Sequence, residues 1–131
     1  MLLAACFGGR AGRILNRGGL RFITTQFTQD EAREKIPQLL EDKPKYRQAG
    51  LTEQDLFLAL DALPVDVFTR YHYKSHAAEA EKQMSHIDPK DAELFALALR
   101  FDAVVWSNDP HFKKIGITCW TTEEMLDQID D

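Results

Sequence analysis

The aspartates Asp91 and Asp109 are the residues whose settings suggest chemistry. Asp109 stands in Ser107-Asn108-Asp109-Pro110, a few residues past the apolar run Ala103-Val104-Val105-Trp106. A short apolar run of this type reads as a strand buried on both faces of a parallel sheet. In such sheets sites lie beyond the carboxyl ends of the strands, so the Asp109 carboxylate would face the crevice. Asp91 opens the apolar stretch Ala92 to Leu99, which runs into the same strand, and a tight helix-to-strand return would bring the two acids together. Carboxylates held close are costly unless a cation neutralises them.

A plainer reading competes with this one. Asp109 before Pro110 is also an ordinary turn. Asp88, Pro89 and Asp91 have the spacing of a capping box with proline at the first helical position. Thr28 with Glu31, Thr52 with Asp55 and Thr121 with Glu124 repeat that spacing, so spacing alone does not separate a metal ligand from an acid that favours the helix dipole. His72 and His76 have i, i+4 spacing, and His111 lies near Asp109, but none has a clear third partner, and all three read as surface histidines. Gly8, Gly9 and Gly12 satisfy neither phosphate-loop pattern and read as a loose turn.

Positioning Asp91 and Asp109 requires an alternation of strands and helices, and the sequence supplies one. Ala11 to Asn16 reads as helical, Gly18-Gly19 as its break, and Leu20 to Thr25 as a strand. A second helix is expected after Thr28, with Ala32, Ile36, Leu39 and Leu40 at helical spacing and Pro37 weakening its last turn. Glu41 to Gly50 is a charged connection leading to a helix over Glu53 to Leu63, then a strand over Val65 to Phe68. A polar helix around His76 to Met84 precedes the apolar helix that Pro89 opens. Strands over Ala103 to Trp106 and Ile117 to Trp120 and a helix over Thr122 to Ile129 complete the chain. The order implies an α/β fold with a mainly parallel central sheet and helices on both faces.

Composition narrows the classes. The 131 residues suffice for one core and one domain. Cys6 and Cys119 form no C-x-x-C pair or zinc cluster, which favours a reducing, cytoplasmic compartment. No apolar run approaches the roughly 20 residues of a membrane span. Arg10, Arg13, Arg17 and Arg21 precede the first acid, Asp30, a composition shared with mitochondrial transit peptides; Met1 to Phe7 resembles a short signal core without its basic start. The cytoplasmic reading is preferred to both. A formal net charge of −5 argues against simple electrostatic adhesion to nucleic acid, yet a metal-using nuclease builds its site from carboxylates.

Three pieces belong together: Ile87-Asp88-Pro89-Lys90-Asp91-Ala92-Glu93-Leu94-Phe95-Ala96-Leu97-Ala98-Leu99, then Val105-Trp106-Ser107-Asn108-Asp109-Pro110-His111-Phe112, then Ile115-Gly116-Ile117-Thr118-Cys119-Trp120. From Asp88 to Trp120 they resemble the carboxyl half of PIN-domain nucleases, where an Asp opens an apolar helix and another Asp follows the next strand. The likeness extends back through Thr24 to Leu40, where the family places a Glu in its second helix; Glu31 matches it, with Asp30 the lesser candidate. Ser107 matches a hydroxyl residue two positions before the last Asp. The family's first strand ends in an Asp just before helix one, and Leu2-Leu3-Ala4-Ala5 already reads as that helix. Residues 1–131 are thus expected to form a single PIN-like domain truncated at its amino end.

The resemblance implies a three-layer α/β fold in which Glu31, Asp91 and Asp109 hold Mg²⁺ or Mn²⁺, ions suited to carboxylate oxygens. It gives Ser107 the role of orienting a carboxylate or the attacking water. It implies an endoribonuclease acting on RNA, in many members a toxin neutralised by an antitoxin protein, and a homodimer; the lack of a long apolar run implies no membrane partner. The alternative is a catalytically inactive PIN-like remnant or protein-binding module.

Overall fold

The protein is described by a computed structural model over residues 9–17, 20–83, 89–108, 111–114 and 118–129. The chain divides into two compact units, one of residues 1–22 and 29–65 and the other of residues 23–28 and 66–131. Among the described residues no helix is long and apolar enough to cross a membrane.

In the first unit, α1 (Gly9–Asn16) includes Gly9 and Gly12, so these two glycines are helical rather than part of a loose turn. Ile14 and Leu15 anchor it as buried residues, and the Asn16 amide donates back to the Gly12 carbonyl at 2.8 Å. After β1 (Phe22–Thr25), all but its first residue assigned to the second unit, comes α2 (Gln26–Asp42), which starts before Thr28. The reason is local: the Thr25 hydroxyl accepts from the Thr28 backbone N–H at 3.1 Å, so Thr25 caps the helix and Thr28 lies inside it. Pro37 does not end α2. An interior proline costs about 3 kcal/mol. Ile36 and Leu40 on either side are 0% and 2% exposed, and burying each is worth about 1.5–3 kcal/mol, which offsets it.

The connection contains a short helix, α3 (Pro44–Gln48), opened by proline. It ends in a Schellman motif, with Leu51 N–H on the Tyr46 carbonyl and Gly50 N–H on the Arg47 carbonyl, both at 3.0 Å. Gly50 supplies the positive φ of 92° that the motif needs. Next, α4 (Glu53–Asp61) begins with the expected Thr52–Asp55 capping box. Ala32, Ile36, Leu40, Leu56 and Leu60 form this unit's core. Arg33 joins α2 to α4 by its ion pair with Asp61 and by lying over the Phe57 ring.

In the second unit, β2 (Val65–Phe68) pairs with β1. Two 3₁₀ turns follow, Arg70–His72 and Lys74–His76, so His72 and His76 do not share one α-helical face. The elements α5 (Ala77–Gln83) and α6 (Pro89–Phe101) come next, and α5 packs against α6. Apolar nearly all round, α6 buries Ala92, Phe95, Ala96, Leu97 and Ala98. They meet Tyr73, Ala80, Val105, Phe112 and Cys119 in a second core. The chain ends with β3 (Val105–Trp106), α7 (His111–Lys114), β4 (Cys119–Trp120) and α8 (Thr122–Ile129).

Strands β3 and β4 are parallel, with Val105 opposite Cys119 and Trp106 opposite Trp120. Among the described residues the strands form two two-stranded sheets. Val104 is 41% exposed, so the run Ala103 to Trp106 is not buried on both faces as its composition predicts. The regular strand covers only its last two residues, and Val104 precedes it.

Candidate functional site

The carboxyl end of β3 is held by its neighbours. Ser107 donates its backbone N–H to the Trp120 carbonyl at 3.0 Å, and its own carbonyl accepts the Cys119 thiol at 3.6 Å. The Trp106 indole N–H reaches the Thr122 hydroxyl at 3.1 Å. Asn108 Oδ1 accepts the Thr122 backbone N–H at 2.9 Å, satisfying a donor at the start of α8. The same helix end carries a reciprocal Thr121–Glu124 capping box at 3.1 and 3.2 Å. Residues 106–108 are therefore fixed immediately before Asp109. Asp109 itself, His111's side chain and the Asp88 cap lie outside the described residues.

Asp91 is half-buried in the first turn of α6, where the helix dipole favours a negative charge. The tight return expected after α6 is present. Ala103 N–H bonds the Ala98 carbonyl at 2.9 Å and Asp102 N–H the Leu99 carbonyl at 3.4 Å, a second Schellman motif. Asp102, at φ 51°, occupies its left-handed position.

Glu31 belongs to the first unit, whereas Asp91 and Ser107 belong to the second. It lies in the second turn of α2 and accepts from Lys35 Nζ at 2.7 Å. With Thr25 as the cap, the expected Thr28–Glu31 capping box is not formed. Asp30 beside it is exposed. Among the described residues no three His, Cys, Asp or Glu side chains are grouped so as to hold a metal ion.

Sequence reasoning did not single out Glu93, Tyr73, Asn108 or Arg70. Glu93 is only 14% exposed, and its Oε1 lies 3.6 Å from Arg70 Nε. Its Oε2 and the Tyr73 hydroxyl are buried without a hydrogen-bond partner among the described residues. Burial first, and then the adjacent Glu93 carboxylate, push the Tyr73 phenol far above its ordinary range. At the surface, the hydrogen bond from Lys113 and then that from the Thr121 backbone hold the Glu124 carboxyl below its ordinary value. Only Asn108 carried a signal in the sequence, as a residue apt to cap a helix.

A family model described as PIN domain matches residues 1–130. The chain belongs to the PIN-domain family. Its fold is accordingly α/β, as the element order predicts. PIN domains are generally nucleases and generally depend on divalent metal ions. No curated protein and no solved structure gives a match.

Proposed function

We propose that this PIN domain is a metal-dependent endoribonuclease hydrolysing RNA phosphodiester bonds, with Glu31, Asp91 and Asp109 as the ligands of Mg²⁺ or Mn²⁺. The observation that carries the reading is the family match, which spans the positions of all three acids. The donor chemistry fits: three carboxylates make an all-oxygen set for a hard cation, and Asp91 is a half-buried acid at a helix start. A bound cation would supply a water of lowered pKa and neutralise charge on the leaving oxygen. The protein's part is positioning. Ser107 and Asn108 are anchored immediately before Asp109 in the sequence, and the Ser107 hydroxyl would orient a carboxylate or the attacking water.

The test is Asp109→Asn. Metal-dependent cleavage of single-stranded RNA should fall by at least about 100-fold, with the far-ultraviolet circular dichroism of the parent retained. Unchanged cleavage would sink the proposal. A toxin held by an antitoxin protein is the finer form of this reading. It predicts that expression of the parent, and not of Asp91→Asn, arrests growth of the host cell.

A further inference from the structure

Between Val67 and Ala78 the chain carries Arg70, His72, Lys74 and His76 and no acid, in a sequence whose formal net charge is −5. This stretch also builds a linked series of rings. Phe101, at the end of α6, meets Phe68 of β2 at 4.9 Å; Phe68 meets His72 edge-on at 5.2 Å; His72 meets Tyr71 edge-on at 5.7 Å. Cations flank both ends, Arg100 over Phe101 at 5.2 Å and Lys74 over Tyr71 at 4.8 Å. Tyr71 is 74% and Phe101 42% exposed, and Phe68 between them is partly buried, its ring backed by the second core. Arg70 is held between Glu81 at 3.3 Å and Glu93 at 3.6 Å, which steadies the 3₁₀ turn carrying Tyr71 and His72.

Exposed rings interleaved with cations match single-stranded nucleic acid on both counts: bases stack on aromatic faces and phosphates attract the flanking charges. A neutral apolar partner would use the rings and leave the cations unmatched. We propose that the surface formed by Phe68, Tyr71, His72, Lys74, Arg100 and Phe101 is a docking platform for single-stranded RNA. It rests on the nuclease reading only for the strand's being RNA. Phe101 lies about 15 Å along α6 from Asp91 by the helical rise. The platform therefore holds the strand away from Asp91 and acts on KM rather than on kcat.

The experiment is fluorescence anisotropy of a labelled short oligouridylate with the full chain in EDTA, where no cleavage occurs. Tyr71→Ala should weaken binding on the order of 5- to 100-fold, Tyr71→Trp should retain it, and Lys74→Gln should flatten the salt dependence by about 0.7 in log–log slope. The variants are exposed, and an unchanged melting temperature excludes misfolding as the cause. Parent-like binding by both Tyr71→Ala and Lys74→Gln would overturn the proposal. So would a parent that binds no oligonucleotide, or one that instead self-associates through Tyr71, which would assign the face to a protein. A parent that binds RNA through Tyr71 yet never cleaves it with Mn²⁺ present supports the platform and counts against the nuclease reading alone.

Discussion

Tyr73 is 0% exposed, and its hydroxyl lacks a hydrogen-bond partner among the described residues. A buried unsatisfied polar group carries a desolvation penalty of about 1–3 kcal/mol. Removing the hydroxyl in Tyr73→Phe should therefore leave stability at pH 7 within about 1 kcal/mol of the parent, or raise it. The folded phenol titrates far above the ordinary 10.0, chiefly because it is buried. The unfolded chain then loses this proton first. The stabilisation is complete below the ordinary value of 10.0 and declines as pH rises through the folded value. Urea denaturation at a pH above 10.0, compared with pH 7, should accordingly show the Phe variant losing less stability than the parent. Tyr73 and Glu93 were silent in the sequence because what marks them is each other, across separate elements. Asp91 and Ser107 were singled out from local order, and they stand in the first turn of α6 and directly after β3. Glu31 was half legible: its family position was read, but its apparent cap belonged to Thr25.

Two helix ends solve one problem with different residues. The α3 end uses Gly50 at φ 92°, and the α6 end uses Asp102 at φ 51°. Left-handed backbone costs an L-residue roughly 1–2 kcal/mol, with Asp among the better tolerated and glycine free of the penalty. Asp102→Gly should thus stabilise the protein by about 0.5–1 kcal/mol, and Gly50→Ala should cost about 1 kcal/mol, both read by chemical denaturation. A Cβ at Gly50 would meet nothing within 4 Å, so that cost is conformational rather than steric. Gly50 announced its turn in the sequence and Asp102 did not, since aspartate suits many settings. Strand Val65–Phe68 and helix Thr122–Ile129 stand where patterning put them. The start of α2 and the exposed Val104 do not, because a strand residue provided the cap and the regular β3 strand covers only the last two residues of its apolar run.

For the molecule as a whole, order and spacing of apolar segments and acids were enough to read the α/β class and the family, which the match over residues 1–130 establishes. Net charge was a poorer guide, since a total of −5 conceals the acid-free stretch from Val67 to Ala78. Binding to the native state raises stability by about 2.7 kcal/mol at a ligand concentration 100-fold above Kd. Added Mn²⁺ should therefore raise the parent's melting temperature and leave that of the Asp91→Asn/Asp109→Asn variant unmoved. A folded parent with no shift would count against the carboxylate metal site.

The ladder between β3 and β4 has an optical consequence. Trp106 and Trp120, the chain's two tryptophans, stand opposite each other in it. Trp106 is tied to Thr122 through its indole N–H. Indole emission from the entire protein thus originates at a single spot, three residues from Asp109 on the Trp106 side. Fluorescence will follow the loosening or tightening of that spot, whereas circular dichroism will follow the helices. Where the two signals part on heating or on titration with a quenching ion such as Mn²⁺, the divergence separates events at the β3 terminus from unfolding elsewhere without any introduced dye.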